Sequence, residues 1–304
     1  MFKSRNHAIH AFIGLGILIL GSTPRGLSAQ DLPGKVVTAE WLAANLNAAD
    51  LRILDLRTDI RDYWEAHIPG AVYIDPVVLR WTEKAVPGKF MPVRAFAILL
   101  GEQGIKETTK VVIYSEKNNY KASYLIWALD YIGHRNAALL DRGFDNWRKE
   151  GRAATQDYPS IAAVTYRPPA SLKDEVRAPL DDVRKALDGS AVLIDARPAE
   201  MFSGDKGTWK RKGHIKGARN RPWAADLNED GSWRLPDEIR TAYEALGATP
   251  DKLVIVYCGQ GQMASMNYMT LKYILGYPRV RLYDGSFSEW SVHTDLPVES
   301  GPAR

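Results

Sequence analysis

Apolar residues in this chain come in short, near-continuous runs separated by amphipathic stretches. Arg52–Arg57 (RILDLR), Lys110–Ser115 (KVVIYS), Ala191–Arg197 (AVLIDAR) and Lys252–Cys258 (KLVIVYC) are such runs. Near-continuous Val/Ile/Leu over about five residues marks a strand buried on both faces rather than one half in water. Between the runs, apolar positions recur every three to four residues, the helical period. Thr38 is placed to cap the helix of AEWLAANL, and Pro179 to open that of PLDDVRKAL. Strands alternating with helices predict an α/β fold with a small parallel sheet covered on both faces.

The pattern occurs twice. RILDLR, the EAHIPGAVYID turn (Glu65–Asp75), KVVIYS, a helix to Gly133 and ALLDRGFDNW (Ala138–Trp147) make one copy. AVLIDAR, KGHIKGARN (Lys212–Asn220), KLVIVYC, a helix to Gly276 and RLYDGSFSEW (Arg281–Trp290) make the second. Ser115 corresponds to Cys258, Gly133 to Gly276, Asp141 to Asp284 and Trp147 to Trp290, each pair 143 positions apart. One repeat at so long a period means two copies of a domain, not a solenoid, whose units are ~20–50 residues. The stretch from Thr155 to Leu172, rich in Pro, Ser and Ala, is the expected join. The expected organisation is an export segment at 1–29, domains at 30–155 and 175–304, and a linker at 156–174.

The export segment is read from its layout. Lys3 and Arg5 form a basic start, Ala11–Leu20 is an apolar run, and GSTPRGLSAQ offers small residues, with Ala29 the last before cleavage. A run of that length is shorter than the ~20 residues that span a bilayer, so a cleaved secretory signal is expected, with an uncleaved anchor as the alternative. The mature protein is then exported, in a bacterium to the periplasm. Composition changes the picture little: 45% hydrophobic and 25% charged residues with a net charge of +4 suit a globular protein meeting small anions. No basic stripe with interleaved aromatics points to nucleic acid. Six histidines and one cysteine show no metal-ligand spacing.

What both copies share is expected to be scaffold, and what they do not share, chemistry. Asp55/Asp195, Arg57/Arg197 and His67/His214 are shared, so Asp195 and His214 are assigned to structure near the site. The copies differ where the third strand meets its helix: SEKNNYKAS (Ser115–Ser123) against CGQGQMAS (Cys258–Ser265). The second loop carries the only cysteine, two glycines and no charge. Glycines let successive N–H groups curl inward as an anion nest, and a helix starting near Ala264 adds its positive end. Both favour the thiolate, the nucleophilic form of cysteine. With no charged side chain in the loop, the field is expected to come from the backbone N–H groups of Gly259, Gln260, Gly261, Gln262, Met263 and Ala264.

Two other readings of the loop are weaker. Gly259–Ala264 matches G-x-G-x-x-A, but only 20 residues follow Asp284, too few to complete a dinucleotide-binding domain. Cysteine-dependent phosphatases and arsenate reductases share the strand–Cys–loop–helix layout. The arginine that closes a Cys-x5-Arg loop would stand at Ala264, and no arginine is there.

Asp195-x-Arg197, the His-Ile-x-Gly-Ala turn at His214–Ala218, the strand ending in Cys258 and the Asp284-Gly285…Trp290 ending together resemble the tandem-domain rhodanese, or sulfurtransferase, family. The resemblance covers nearly the whole chain beyond the export segment. It implies that the second domain is catalytic and the first has lost its nucleophile. It implies that Cys258 takes a sulfane sulfur as a persulfide from thiosulfate or 3-mercaptopyruvate, releasing sulfite or pyruvate. The sulfur then passes to cyanide, a thiol or a thioredoxin-like protein, with no cofactor and no metal. Arg197 matches a family arginine that binds the anionic donor, and Arg211, Lys212 or Arg219, beside the His214 turn, are further candidates. Gly259 and Gly261 fit the mercaptopyruvate-preferring loop, whereas Gln260, Gln262 and Met263 depart from it. The rival reading is a non-catalytic sulfur-binding or interaction protein on the same scaffold.

Overall fold

The computed structural model describes residues 28–302. The first domain is a five-stranded, all-parallel sheet of β1 (Val36–Val37), β2 (Leu51–Asp55), β3 (Ala71–Tyr73), β6 (Lys110–Tyr114) and β7 (Ala137–Leu140), in the order β1-β7-β6-β2-β3. An antiparallel hairpin, β4 (Arg80–Glu83) and β5 (Val86–Phe90), is inserted after β3. The second domain has a four-stranded parallel sheet of β8 (Ala191–Asp195), β10 (Arg219–Asn220), β11 (Leu253–Tyr257) and β12 (Val280–Leu282), in the order β10-β8-β11-β12. Short β9 (His214–Ile215) and β13 (Val298–Glu299) pair antiparallel beside it. Asp55 pairs with Tyr114 and Asp195 with Tyr257, so the carboxyl ends of the central strands align in both copies.

Each sheet is covered on both faces, as its apolar strands require. In the second sheet Ile194, Val254 and Val256 point into one core, while Leu193, Ile255 and Tyr257 point into another. The first core belongs to both domains. It joins Phe96 and Leu100, the helix Tyr120–Tyr131, the helix Ala264–Met269 with its wider continuation Thr270–Ile274, and Ile239 and Tyr243. Trp127 is fully buried there, and its indole N–H donates to the Val176 carbonyl (3.0 Å). The outer cores are local: Leu42, Val112, Leu140 and Trp147 in one domain, Val183, Phe202, Phe287 and Trp290 in the other.

Residues 156–173 carry no regular structure. They are tied to the first domain through Val164 N–H to Gly101 O (2.9 Å), Tyr166 Oη to His134 (3.3 Å) and Lys173 N–H to Tyr131 O (2.8 Å). Residues 1–27 of the expected export segment lie outside the described residues. Ala29 does not: it is buried, its N–H donates to Asp50 Oδ1 (2.6 Å), and its carbonyl accepts from Lys110 Nζ (2.8 Å). The folded domain therefore begins before residue 30. Among the described residues no helix is long and apolar enough to cross a membrane.

Candidate active site

Cys258 is a free thiol, 2% exposed, directly after the end of β11. Its N–H donates to Ser286 Oγ (3.1 Å), whose hydroxyl donates to Tyr283 O (2.7 Å). The carbonyls of Cys258 and Gly259 accept from the N–H groups of Phe287 and Ser288, each at 3.0 Å. Ser286 holds this post at φ 52°, a left-handed conformation that a non-glycine residue adopts at a cost. In the first domain the same turn has Gly143, at φ 57°.

The loop then crosses Gly261 (φ 87°) and enters the helix at Ala264. Trp209 packs directly against Gly259: a Cβ there would come 2.7 Å from the indole. No backbone N–H from Gly259 to Ala264 donates to another protein atom among the described residues, so six successive donors stay open. Gly261 and Ala264 are buried and Gly259, Gln262 and Met263 half-buried; donors so placed are costly unless something answers them, and an anion does.

A cavity of 360 Å³ opens on the thiol, lined by Tyr120, Lys121, Arg197, Met201, Thr208, Trp209 and the loop residues Cys258, Gly259, Gln260, Gln262 and Met263. Tyr120 and Lys121 belong to the first domain, in the very stretch that replaces the cysteine loop. Lys121 Nζ donates to Gln262 Oε1 (3.3 Å). Arg80, from β4, donates to Gln260 Oε1 (2.9 Å) and to Gly88 O (2.8 Å). The expectation that backbone alone supplies the field is therefore corrected. The loop is neutral, but the partner domain brings cations to both glutamines. Burial pushes the Lys121 pKa below that of an ordinary lysine; Glu116 opposes the shift and Arg80 adds to it.

The other assigned residues are sorted by the structure. Asp195 and Arg197 form a buried bidentate pair, with Nε–Oδ1 at 2.9 Å, and Arg197 Nη2 also donates to Gly213 O (2.8 Å). The guanidinium lies over Phe287, 4.1 Å from its centroid, and only Nη1 is buried without a partner. Burial opposes the Arg197 charge, yet the Asp195 carboxylate outweighs it and raises the pKa. His214 is buried, stacked on Phe202 (3.6 Å), with Nδ1 bonded to Phe202 O (2.8 Å). His67 makes the same arrangement on Tyr63.

Arg211 and Arg219 are not at the cavity. Arg211 gives its donors to the carbonyls of Trp290, Ser291, His293 and Leu296, clamping the chain after the last helix. Arg219 is exposed at the start of β10, and Lys212 does not line the cavity either. Closeness to the His214 turn in sequence did not translate into closeness to the thiol.

The first domain keeps a cavity of 350 Å³ at the equivalent strand ends, lined by Arg57, Asp62, Glu65, Glu116, Asp145 and Arg148 among others. Arg57 is paired with Asp55 (Nε–Oδ2 3.0 Å). Four carboxylates around a site with serine in place of cysteine repel anions and offer no thiolate.

Comparisons with known proteins agree with this geometry. The family profile of the rhodanese-like domain matches residues 38–150 and 179–293. The sulfur carrier protein TtuD of Thermus thermophilus is 37% identical over 283 residues, which is 88% of this chain and 98% of that protein. The thiosulfate sulfurtransferase of Pseudomonas aeruginosa is 35% identical over 88% of this chain and 98% of its own length. The crystal structure of SseA from Escherichia coli, presented as a 3-mercaptopyruvate sulfotransferase, superposes with a TM-score of 0.74 at 28% identity, covering 84% of this chain and 99% of SseA. With both halves matched by one profile and a single thiol at the carboxyl end of the second sheet, the chain belongs to the rhodanese-like family as a tandem-domain member.

Proposed function

We propose that Cys258 carries sulfane sulfur as a persulfide between a small anionic donor and a thiophilic acceptor. The chain is a sulfurtransferase: relatives matching it along nearly their whole length bear that name, and it keeps the single thiol such a transfer needs. In the first half-reaction the thiolate attacks the outer sulfur of thiosulfate. The S–S bond breaks, and sulfite leaves with the bonding pair. With 3-mercaptopyruvate the C–S bond breaks instead, and the enolate of pyruvate leaves and takes a proton. In the second half-reaction cyanide or a thiolate attacks the outer persulfide sulfur, and Cys258 returns as a thiolate.

The observation that carries this reading is the row of open N–H donors from Gly259 to Ala264 beside the only cysteine. Fixed donors stabilise the anionic sulfur without reorganising at the moment of transfer. Gln260 and Gln262 set this loop apart from one bearing arginine and lysine, and the donors of the relatives frame the choice: thiosulfate in one name, 3-mercaptopyruvate in another. Because Cys258 is 2% exposed, the acceptor is a small thiol or a slender extended segment of a thioredoxin-like protein.

Export belongs to the same proposal. Its support is the basic start and the apolar run Ala11–Leu20. In an oxidising compartment a lone reactive thiol has no internal resolving cysteine, so persulfide formation or an external reductant must keep it from over-oxidation. Steady-state sulfur transfer to cyanide with each donor, measured for the wild type and Cys258→Ser, tests the enzymatic reading. Cell fractionation of the full chain tests export. Transfer by Cys258→Ser at the wild-type rate rejects the first, and an unprocessed cytoplasmic protein rejects the second.

A further inference from the structure

We propose that Lys121, from the domain without a nucleophile, is the side chain that binds the anionic end of the sulfur donor. This deepens the sulfurtransferase reading and rests on it. Two cations line the Cys258 cavity, Lys121 and Arg197. Arg197 is spent: Asp195 neutralises it, Gly213 O takes a further N–H, and the group is 1% exposed. It keeps only the two N–H groups of Nη1 unpartnered and offers the cavity no net charge.

Lys121 is in the opposite condition. It forms no ion pair among the described residues, and its contacts with the live loop are with a neutral amide oxygen, Gln262 Oε1, at 3.3 Å. An ammonium on an amide oxygen gives up that partner readily for a sulfonate or carboxylate, which makes a charge-assisted bond about twice as strong. The stem of Lys121 is held half-buried, with Nζ 4.9 Å from the centroid of the Tyr120 ring, so the charge is positioned rather than swept through solvent. Arg80 is likewise free of ion pairs among the described residues and adds positive potential through its bond to Gln260 Oε1. Met201, Trp209 and Met263 give the cavity an apolar wall beside Tyr120 and Thr208, and that wall lowers the local dielectric and strengthens the attraction.

The placement follows from the fold. Lys121 stands two residues before Ser123 and Met263 two before Ser265, and the two serine hydroxyls touch across the domain interface at 2.6 Å. The pseudo-twofold relation thus delivers the first domain's loop to the mouth of the second domain's site. The donor bridges the two: its sulfane sulfur meets Cys258, and its anionic end meets Lys121. A site half-built by each domain explains why the first copy persists without a nucleophile of its own.

The test uses two alkylating agents of similar size, anionic iodoacetate and neutral iodoacetamide, on Cys258 of the full chain. Their rate ratio cancels any change in thiol reactivity and reads only the recruitment of negative charge. Lys121→Met is expected to lower the iodoacetate-to-iodoacetamide ratio about tenfold, Lys121→Arg to preserve it, and the surface control Lys106→Met to leave it unchanged. For thiosulfate, Lys121→Met raises KM about tenfold or more while kcat stays within about threefold. An unchanged ratio in Lys121→Met overturns the proposal, whatever happens to turnover. If the wild type alkylates normally but transfers sulfur from no donor, the sulfurtransferase reading fails, and the ratio still decides whether Lys121 is an anion site.

Discussion

The hydroxyls of Ser123 and Ser265 lie 2.6 Å apart, one from each domain, both fully buried. Each also reaches back to the carbonyl three residues earlier, Tyr120 O (2.9 Å) and Gln262 O (2.6 Å). Two equivalent positions of a duplicated fold meet at the pseudo-twofold axis, and each steadies the loop in front of its own helix. One of those loops carries the thiol and the other carries Lys121. The active site is therefore a property of the pair of domains, although only one holds the nucleophile.

Ser286 tests how the thiol is aimed. Its positive φ is a conformational cost borne by a residue whose hydroxyl accepts the Cys258 N–H. Ser286→Gly relieves the backbone and removes the hydroxyl. Stability is expected to change by less than about 1 kcal/mol, because the two effects oppose one another. Sulfur transfer is expected to fall about tenfold or more, because the start of the loop loses its anchor. Denaturant titration beside donor-loading kinetics separates the two; a stable variant with full activity would show that the anchor is dispensable.

Gly259 tests the close approach of Trp209. An added methyl group would meet the indole at 2.7 Å, and Trp209 is held by its N–H bond to Ser288 Oγ (3.0 Å). Gly259→Ala is expected to cost about 1–3 kcal/mol by overpacking and to cut transfer ~100-fold by displacing the loop. Shortening the wall in Gly259→Ala/Trp209→Leu should restore part of both. Equal loss in the single and double variants would place the fault in the loop backbone rather than in the indole contact.

The two Asp-x-Arg pairs look alike in sequence and almost alike in space, but only Arg197 borders the thiol cavity. Arg57→Met and Arg197→Met each strand a buried carboxylate and should each cost about 3–5 kcal/mol. Removing both partners, as Asp55→Asn/Arg57→Met and Asp195→Asn/Arg197→Met, avoids that stranded charge. At a temperature where both double variants are folded by circular dichroism, the first should transfer sulfur within about threefold of wild type. The second should lose about tenfold or more. Equal activities would make Arg197 as purely structural as Arg57.

Lys121 sets an alkaline limb. Burial lowers its pKa, with Arg80 adding to the shift and Glu116 and Asp75 opposing it, so its charge is lost at a lower pH than that of an exposed lysine. Thiosulfate capture is expected to be complete below that lowered value and to fall as pH rises through it, on the acid side of 10.5. Lys121→Arg keeps its charge and should abolish this limb. Stability runs the other way. In the same window the unfolded chain binds more protons than the folded one, so the contribution of Lys121 to stability rises with pH. A kcat/KM profile for thiosulfate that is identical in wild type and Lys121→Arg would remove Lys121 from donor binding.

The sheet strands and the duplication were legible because local patterning encodes them: Leu51–Asp55, Lys110–Tyr114, Ala191–Asp195 and Leu253–Tyr257 are all near-continuous apolar stretches. Cys258 stood out because the second copy offered an internal comparison. The same comparison misdirected attention from SEKNNYKAS, since a loop without cysteine reads as spent. Nothing along the chain reveals that Ser123 meets Ser265, the contact that brings Lys121 to the site. Arg211 lies beside the His214 turn in sequence, but its acceptors lie 79–85 residues ahead, beyond any local pattern. The hairpin Arg80–Phe90, with its Pro-Gly interruption, carries no strand-like alternation, so Arg80 was invisible until the fold placed it on Gln260.

Intact mass spectrometry reads out whether Cys258 is the sulfur carrier. The protein is exposed briefly to thiosulfate or 3-mercaptopyruvate, beside Cys258→Ser. A gain of one sulfur atom is expected in the wild type alone, removed by cyanide, with the faster donor naming the substrate. No gain with either donor, while the thiol still alkylates readily, would contradict it.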